Sequence, residues 1–340
     1  MMRLLPWKTR MAIDLGTASC HVSVYEAGVV LREPTVIAFD ADRRRPIAYG
    51  AEAKQMLDRE VTDVEVVRPL RGGVVADFDA TVLLLRHFIH QTLGHRPLLA
   101  PLVVVGQPTR STQVERRALV NVLRAAGAGE VIMVPRALAA AIGAGLPMDQ
   151  PECRLVVDMG AGATDIGVIS AGMVAAAETI HFGGDDLDEA IRRYVRRRYR
   201  MSIGRARAED IKIMAGALTS EMMAEQVRIS DVAGEETSAA DAQKLEGIAE
   251  LMRDALLPAI AEVLWILDEL PERQMDEIAH VESALTGGCA QLRGIAALMS
   301  DELALNFAAA PDPMSCTILG LEAILNDLDV LSLDGRRFMR

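Results

Sequence analysis

The chain lacks the features that mark several protein classes. Its four cysteines, Cys20, Cys153, Cys289 and Cys316, show no paired spacing. That argues against a disulfide framework and for free thiols in a reducing compartment. Basic residues are in deficit, 36 Lys and Arg against 48 Asp and Glu, for a formal charge of −12. A general affinity for nucleic acid is not expected of such a surface. The one basic run, Arg192-Arg-Tyr-Val-Arg-Arg-Arg-Tyr-Arg200, reads as the solvated end of a helix opened by Asp185-Asp-Leu-Asp-Glu189. That order of charges suits the helix dipole, and a contact with nucleic acid or anionic lipid is the less favoured reading. The six histidines show no metal-ligand spacing; His87 and His90 can share a helix face but read as ordinary partly buried residues. No apolar run is long enough to span a bilayer. There is no low-complexity segment or long linker, and residues 1–10 are too short for a signal peptide and carry no cleavage pattern.

What is present is a soluble-type composition, 51% apolar and 25% charged, over 340 residues. That length exceeds one ordinary core and predicts two major domains. The most informative stretch is Met11-Ala-Ile-Asp-Leu-Gly-Thr-Ala-Ser19, which returns in altered form as Leu155-Val-Val-Asp-Met-Gly-Ala-Gly-Ala-Thr-Asp165. Each is an apolar strand tipped by an acid and followed by a turn of small residues. Two such turns facing each other can hold a polyphosphate from both sides. Glycines let backbone N–H groups approach phosphate oxygens, and the aspartates can hold the water shell of Mg²⁺. Two copies suggest two halves of similar fold around one nucleotide.

Along the chain, strands are predicted at 11–13, 22–25, 29–31, 35–39, 102–105, 131–134, 155–157, 166–170 and 173–179, with a strand-to-glycine turn at 285–288. Helices are predicted at 51–57, 79–91, 113–126, 138–145, 185–199, 208–218 and 241–270, the last broken near Pro258. Strands antiparallel near each domain start and parallel later argue an α/β class.

Four further segments carry a resemblance. They are Val67-Arg-Pro-Leu-Arg-Gly-Gly-Val-Val-Ala-Asp-Phe78, Thr112-Gln-Val-Glu-Arg-Arg117, Ala139-Ala-Ala-Ile-Gly-Ala-Gly-Leu-Pro147 and Leu285-Thr-Gly-Gly-Cys-Ala-Gln-Leu-Arg-Gly294. With the phosphate turns they resemble the actin and heat-shock-chaperone ATPase superfamily, and within it the MreB family of bacterial actins. The resemblance implies an actin-like, duplicated ribonuclease-H-like α/β fold with two lobes around a nucleotide cleft. The first lobe would span 1–140 plus 320–340, with a small subdomain at about 33–68. The second would span 141–319, with a small subdomain at about 183–268. ATP or ADP with Mg²⁺ would sit between them. Thr17, Ala18 and Ser19 would cradle the β- and γ-phosphates, opposite Gly160, Ala161, Gly162, Ala163 and Thr164. Asp14 and Asp158 would hold Mg²⁺ through water. Glu209, Asp210, Ile211 and Lys212 would reach the ribose and adenine, and Gly287, Gly288, Cys289 and Ala290 would line the α-phosphate and base. Partners implied are the chain itself in protofilaments, the inner membrane surface, other MreB-type filaments and cell-wall elongation proteins, with no nucleic acid.

The sequence departs from that pattern where hydrolysis is handled. The family places a water-positioning glutamate, in an acidic pair followed by proline, after the strand matching 131–134. Here Pro135 and Arg136 stand there, and arginine cannot accept a proton. The family also carries a threonine in the second turn where this chain has Ala163. Loss of a general base typically costs ~10²–10⁴-fold in rate, so hydrolysis is expected to be slow or absent. Arg136 either enters the cleft and stands partly in place of metal, or turns to solvent. Ala161 and Cys289 replace glycines, so nucleotide binding with altered affinity is expected, an empty cleft being the alternative. Membrane contact is read from Leu4, Leu5 and Trp7 among basic residues, and from Leu98 and Leu99 in a proline-bounded loop. The leading reading is a membrane-associated cytoskeletal filament protein of cell shape or organisation, cytoplasmic on the inner face of the plasma membrane. The alternatives are an active ATPase filament that positions water with Asp185 or Glu209, and a non-polymerising adaptor of a true MreB.

Overall fold

The computed structural model describes residues 9–43, 45–58, 63–94, 99–215, 227–228, 244–245 and 247–328. Two five-stranded mixed sheets dominate it. In the first, strand Arg10–Leu15 pairs antiparallel with Ser19–Val24, which pairs antiparallel with Gly28–Pro34. On its other side Arg10–Leu15 pairs parallel with Leu102–Gln107, and that strand with Glu130–Pro135. The second sheet repeats this order. Strand Arg154–Met159 sits between the antiparallel pair Thr164–Ser170 and Met173–Ile180 and the parallel strands Glu282–Thr286 and Asn306–Ala309. The central strands are apolar runs buried on both faces, as parallel pairing under helices requires.

Local chemistry sets the helix ends. Thr112 and Glu115 form a reciprocal capping box that opens helix Gln113–Ala126, and Asp77 caps helix Phe78–Leu93. A three-stranded sheet of Pro46–Tyr49, Ile37–Asp40 and Val64–Val67, with helix Gly50–Asp58, forms a small separate layer around Val36, Ala38, Ala48 and Ala53. Helix Ile248–Asp268 runs unbroken through Pro258, contrary to the expected break. Residues 244–245, expected within that helix, instead form a strand paired with Val227–Arg228. Residues 216–218, 241–243 and 246 of the expected helices lie outside the described residues.

Two short helices join the sheets. Helix Arg136–Gly143 packs on Arg154–Met159 and Thr164–Ser170, helix Cys316–Asn326 packs on Arg10–Leu15 and Leu102–Gln107, and the two pack on each other. Their contact is nearly bare backbone. A Cβ on Gly320 would collide with the carbonyl oxygen of Ala139, and one on Gly143 with that of Cys316.

Candidate functional site

The two acid-tipped turns meet across a cleft of about 650 Å³ between the sheets. Gly16, Thr17, Ala18 and Ser19 line one wall, and Gly160, Ala161, Gly162 and Ala163 the other. They touch. A side chain at Gly162 would come within 2.6 Å of Thr17 Oγ1, so only glycine permits this approach. The Thr17 hydroxyl accepts a hydrogen bond from the Gly73 N–H at 3.0 Å, which ties the 70–75 hairpin to the first turn. The second turn is braced from behind. Gly184 N donates to Gly160 O at 3.0 Å and Asp185 N to Ala161 O at 2.8 Å, so the start of helix Gly184–Tyr199 holds the turn's carbonyls.

The remaining wall comes from Gly287, Gly288, Met314 and Thr317. Gly287 has φ +82° and lies against the Met159 carbonyl, which excludes a side chain there. The structure therefore gathers Asp14, Asp158, both turns and Gly287–Gly288 at one cavity. Thr164, Cys289 and Ala290 stand behind that wall. Thr164 Oγ1 donates to Phe182 O at 2.8 Å, and the Cys289 thiol rests 3.4 Å from Gly160 O. Burial pushes that thiol up to about 12, so it stays protonated and acts as packing under the turn.

Glu209, Asp210, Ile211 and Lys212 do not line this cavity. They lie on helix Arg205–Ala215, where Ile211 is buried, Glu209 pairs with Lys54 at 3.3 Å, and Lys212 Nζ sits 2.8 Å from Asp188 Oδ1 and donates to Gly184 O. Burial pushes the Asp188 carboxyl up to about 6, although Lys212 opposes the shift. Asp185 is also engaged, 3.0 Å from Arg68 Nη1, and Arg68 Nη2 reaches Thr17 O at 3.4 Å. The two acids considered as substitute water-positioning groups are thus both held in ion pairs with cations far away in the chain.

Arg136 settles its own alternative: it is buried and lines the cleft. It begins its helix directly after strand Glu130–Pro135, and Ala137 packs against Gly167 so closely that no side chain fits there. The guanidinium extends toward the first turn. Nη2 donates to Leu15 O at 3.1 Å, Nε lies 3.7 Å from Asp14 Oδ1, and Nη1 lies 3.6 Å from Asp165 Oδ2. Burial alone would lower its affinity for the proton, but the charges of Asp14, Asp165 and Asp158 outweigh it and raise it. Asp158 is itself pushed up to about 7 by burial, with Arg136 pulling the other way. It accepts hydrogen bonds from Thr286 Oγ1 at 2.8 Å and Thr317 Oγ1 at 3.4 Å.

This donor set does not fit Mg²⁺ held by Asp14 and Asp158. Asp14 already faces a fixed cation, and Asp158 is enclosed by hydroxyls. Among the described residues no group of three or more His, Cys, Asp or Glu is arranged to hold a metal ion.

Sequence reasoning missed His21, Met314 and Thr317. His21 is buried, lines the cleft, stands opposite Asp14 in the strand register, and has no hydrogen-bond partner at Nδ1. Burial lowers its pKa, opposed by Asp14. A histidine within an apolar hairpin strand is the one signal that marks it. Of the expected membrane residues, Leu4, Leu5, Trp7 and Leu98 lie outside the described residues, and Leu99 is exposed. Among the described residues no helix is long and apolar enough to cross a membrane.

A family model described as MreB/Mbl protein matches residues 8–332. The chain is 37% identical to the cell shape-determining protein MreB of Escherichia coli (strain K12), covering 94% of both chains. It is 33% identical to the cell shape-determining protein Mbl of Bacillus subtilis (strain 168), over 94% of this chain and 97% of that one. Among solved structures, MreB5 of Spiroplasma citri bound to ADP superposes with a TM-score of 0.86 at 29% identity, over 96% of this chain and 98% of that one. The same protein bound to AMPPNP gives the same score. The MamK double helical filament shares the fold, with a TM-score of 0.76 at 20% identity, over 93% of this chain and 98% of that one.

Proposed function

Because the chain belongs to the MreB/Mbl family of bacterial actins, we propose that it is a cytoskeletal filament subunit that takes adenine nucleotide into the cleft and hydrolyses it slowly or not at all. One observation carries the reading: both phosphate turns converge on one cavity, and a buried arginine stands where a water-positioning acid is needed. Arg136 cannot take a proton from water, and Ala163 offers no hydroxyl to orient one. The nucleotide class is supported by the ADP- and AMPPNP-bound MreB5 structures. A role in cell shape or organisation is supported by the names of the curated relatives. The lobes of this reading are 1–140 with 320–340, and 141–319. The packing of Cys316–Asn326 on the first sheet supports the return of the chain to the first lobe. Apolar Leu4, Leu5, Trp7, Leu98 and Leu99 support reversible binding to the inner membrane face.

Sedimentation with and without ATP, alone and with anionic vesicles, tests the reading. Filaments that pellet equally well with ATP and with AMPPNP are expected, since cleavage plays no part. A protein that binds nucleotide and stays in the supernatant under every condition is an adaptor, and the filament reading fails.

A further inference from the structure

We infer that Arg136 is the resident counter-ion of the nucleotide cleft, so that polyphosphate binds here without a divalent metal. The inference rests on the nucleotide reading above and adds a statement about charge. The guanidinium is fixed, not flexible: Nη2 is anchored on Leu15 O at 3.1 Å, one residue before the first turn begins, and Asp14 and Asp165 flank it at 3.7 and 3.6 Å. It lines the cavity together with both turns. An arginine stays charged at any working pH and offers a fork of N–H donors to phosphate oxygens.

The carboxylates around it divide into two kinds. Asp165 is spent on its surroundings: its Oδ1 accepts from Thr109 N–H and Thr179 Oγ1, both at 2.6 Å. Asp158 is likewise held by the hydroxyls of Thr286 and Thr317. Asp14 and Asp158 both line the cleft, and of the two it is Asp14 that the guanidinium faces directly. In a metal-dependent site Asp14 would have no such partner and would need a cation delivered with the nucleotide. Here the cation is part of the chain and already stands beside Asp14, where a metal would otherwise be required.

The test is equilibrium binding of ATP to the full chain, by calorimetry, with Mg²⁺ and with EDTA. The wild type should change affinity by less than about threefold between the two. Arg136→Gln, checked for folding by circular dichroism, should bind at least about tenfold more weakly in EDTA than in Mg²⁺. Arg136→Lys should return toward metal independence. A wild type that loses about tenfold or more in EDTA overturns the inference while leaving nucleotide binding intact. Absence of binding in both conditions overturns the nucleotide reading itself, and the inference with it. If Arg136→Gln does not fold, the wild-type comparison alone decides.

Discussion

Arg136 is surrounded by Asp14, Asp158 and Asp165, and its removal leaves three carboxylates facing one another with no cation. Breaking a buried pair from one side typically costs ~3–5 kcal/mol, and Arg136→Ala should lose stability on that scale in urea denaturation. The loss should depend on pH with a definite sign. Without the arginine, the burial that raises the Asp158 pKa above its unfolded value goes unopposed by that cation, so the folded state binds more protons. Stability is then recovered as pH falls through that raised value and is lowest above it. Asp158 is already pushed up to about 7 with the arginine in place. The destabilisation should therefore be smaller at pH 5 than at pH 8; equal losses at both would contradict the electrostatic account. At this scale the sequence makes Arg136 visible as a departure but not its direction. One arginine after a strand can face either way, and the Leu15 carbonyl with the carboxylates of Asp14 and Asp165 holds it inward.

Between elements, the contact of Arg136–Gly143 with Cys316–Asn326 joins the two sheets through Gly143 and Gly320. Replacing glycine by alanine inside a helix normally stabilises it by about 1 kcal/mol. Here the sign should reverse. The new Cβ at Gly320 meets the Ala139 backbone, which cannot swing aside as a side chain would. Gly320→Ala should cost about 1–3 kcal/mol by overpacking, read as a lower thermal midpoint; an unchanged or higher midpoint would contradict the packing account. Most elements were legible because apolar runs and capping residues mark them, as Thr112 and Glu115 do for Gln113–Ala126. Pro258 misled for a physical reason. Its ring lies on the exposed side of helix Ile248–Asp268, and buried Met252, Leu256, Ile260 and Val263 hold the helix on either side of it. The pairing of Lys244–Leu245 with Val227–Arg228 is non-local and leaves no periodic trace.

The whole molecule is two copies of one sheet order, and the paired motifs at Asp14 and Asp158 announced that duplication. The ion pairs Arg68–Asp185 and Lys54–Glu209 were not legible, because their partners lie 117 and 155 residues apart in sequence. They explain why Glu209 and Asp185 do not stand free in the cleft. At this scale the proposed function comes down to a cleft that grips a triphosphate and lacks the means to cleave it. Phosphate release from ATP, measured on the purified wild type beside the Arg136→Glu, Ala163→Thr double variant with Mg²⁺ present, tests it most directly. The account predicts a wild type close to the no-enzyme background, and a double variant faster by at least about tenfold, toward the ~10²–10⁴-fold worth of a positioned base. Brisk release by the wild type would contradict it, as would a double variant that folds by circular dichroism and binds ATP yet is no faster than its parent.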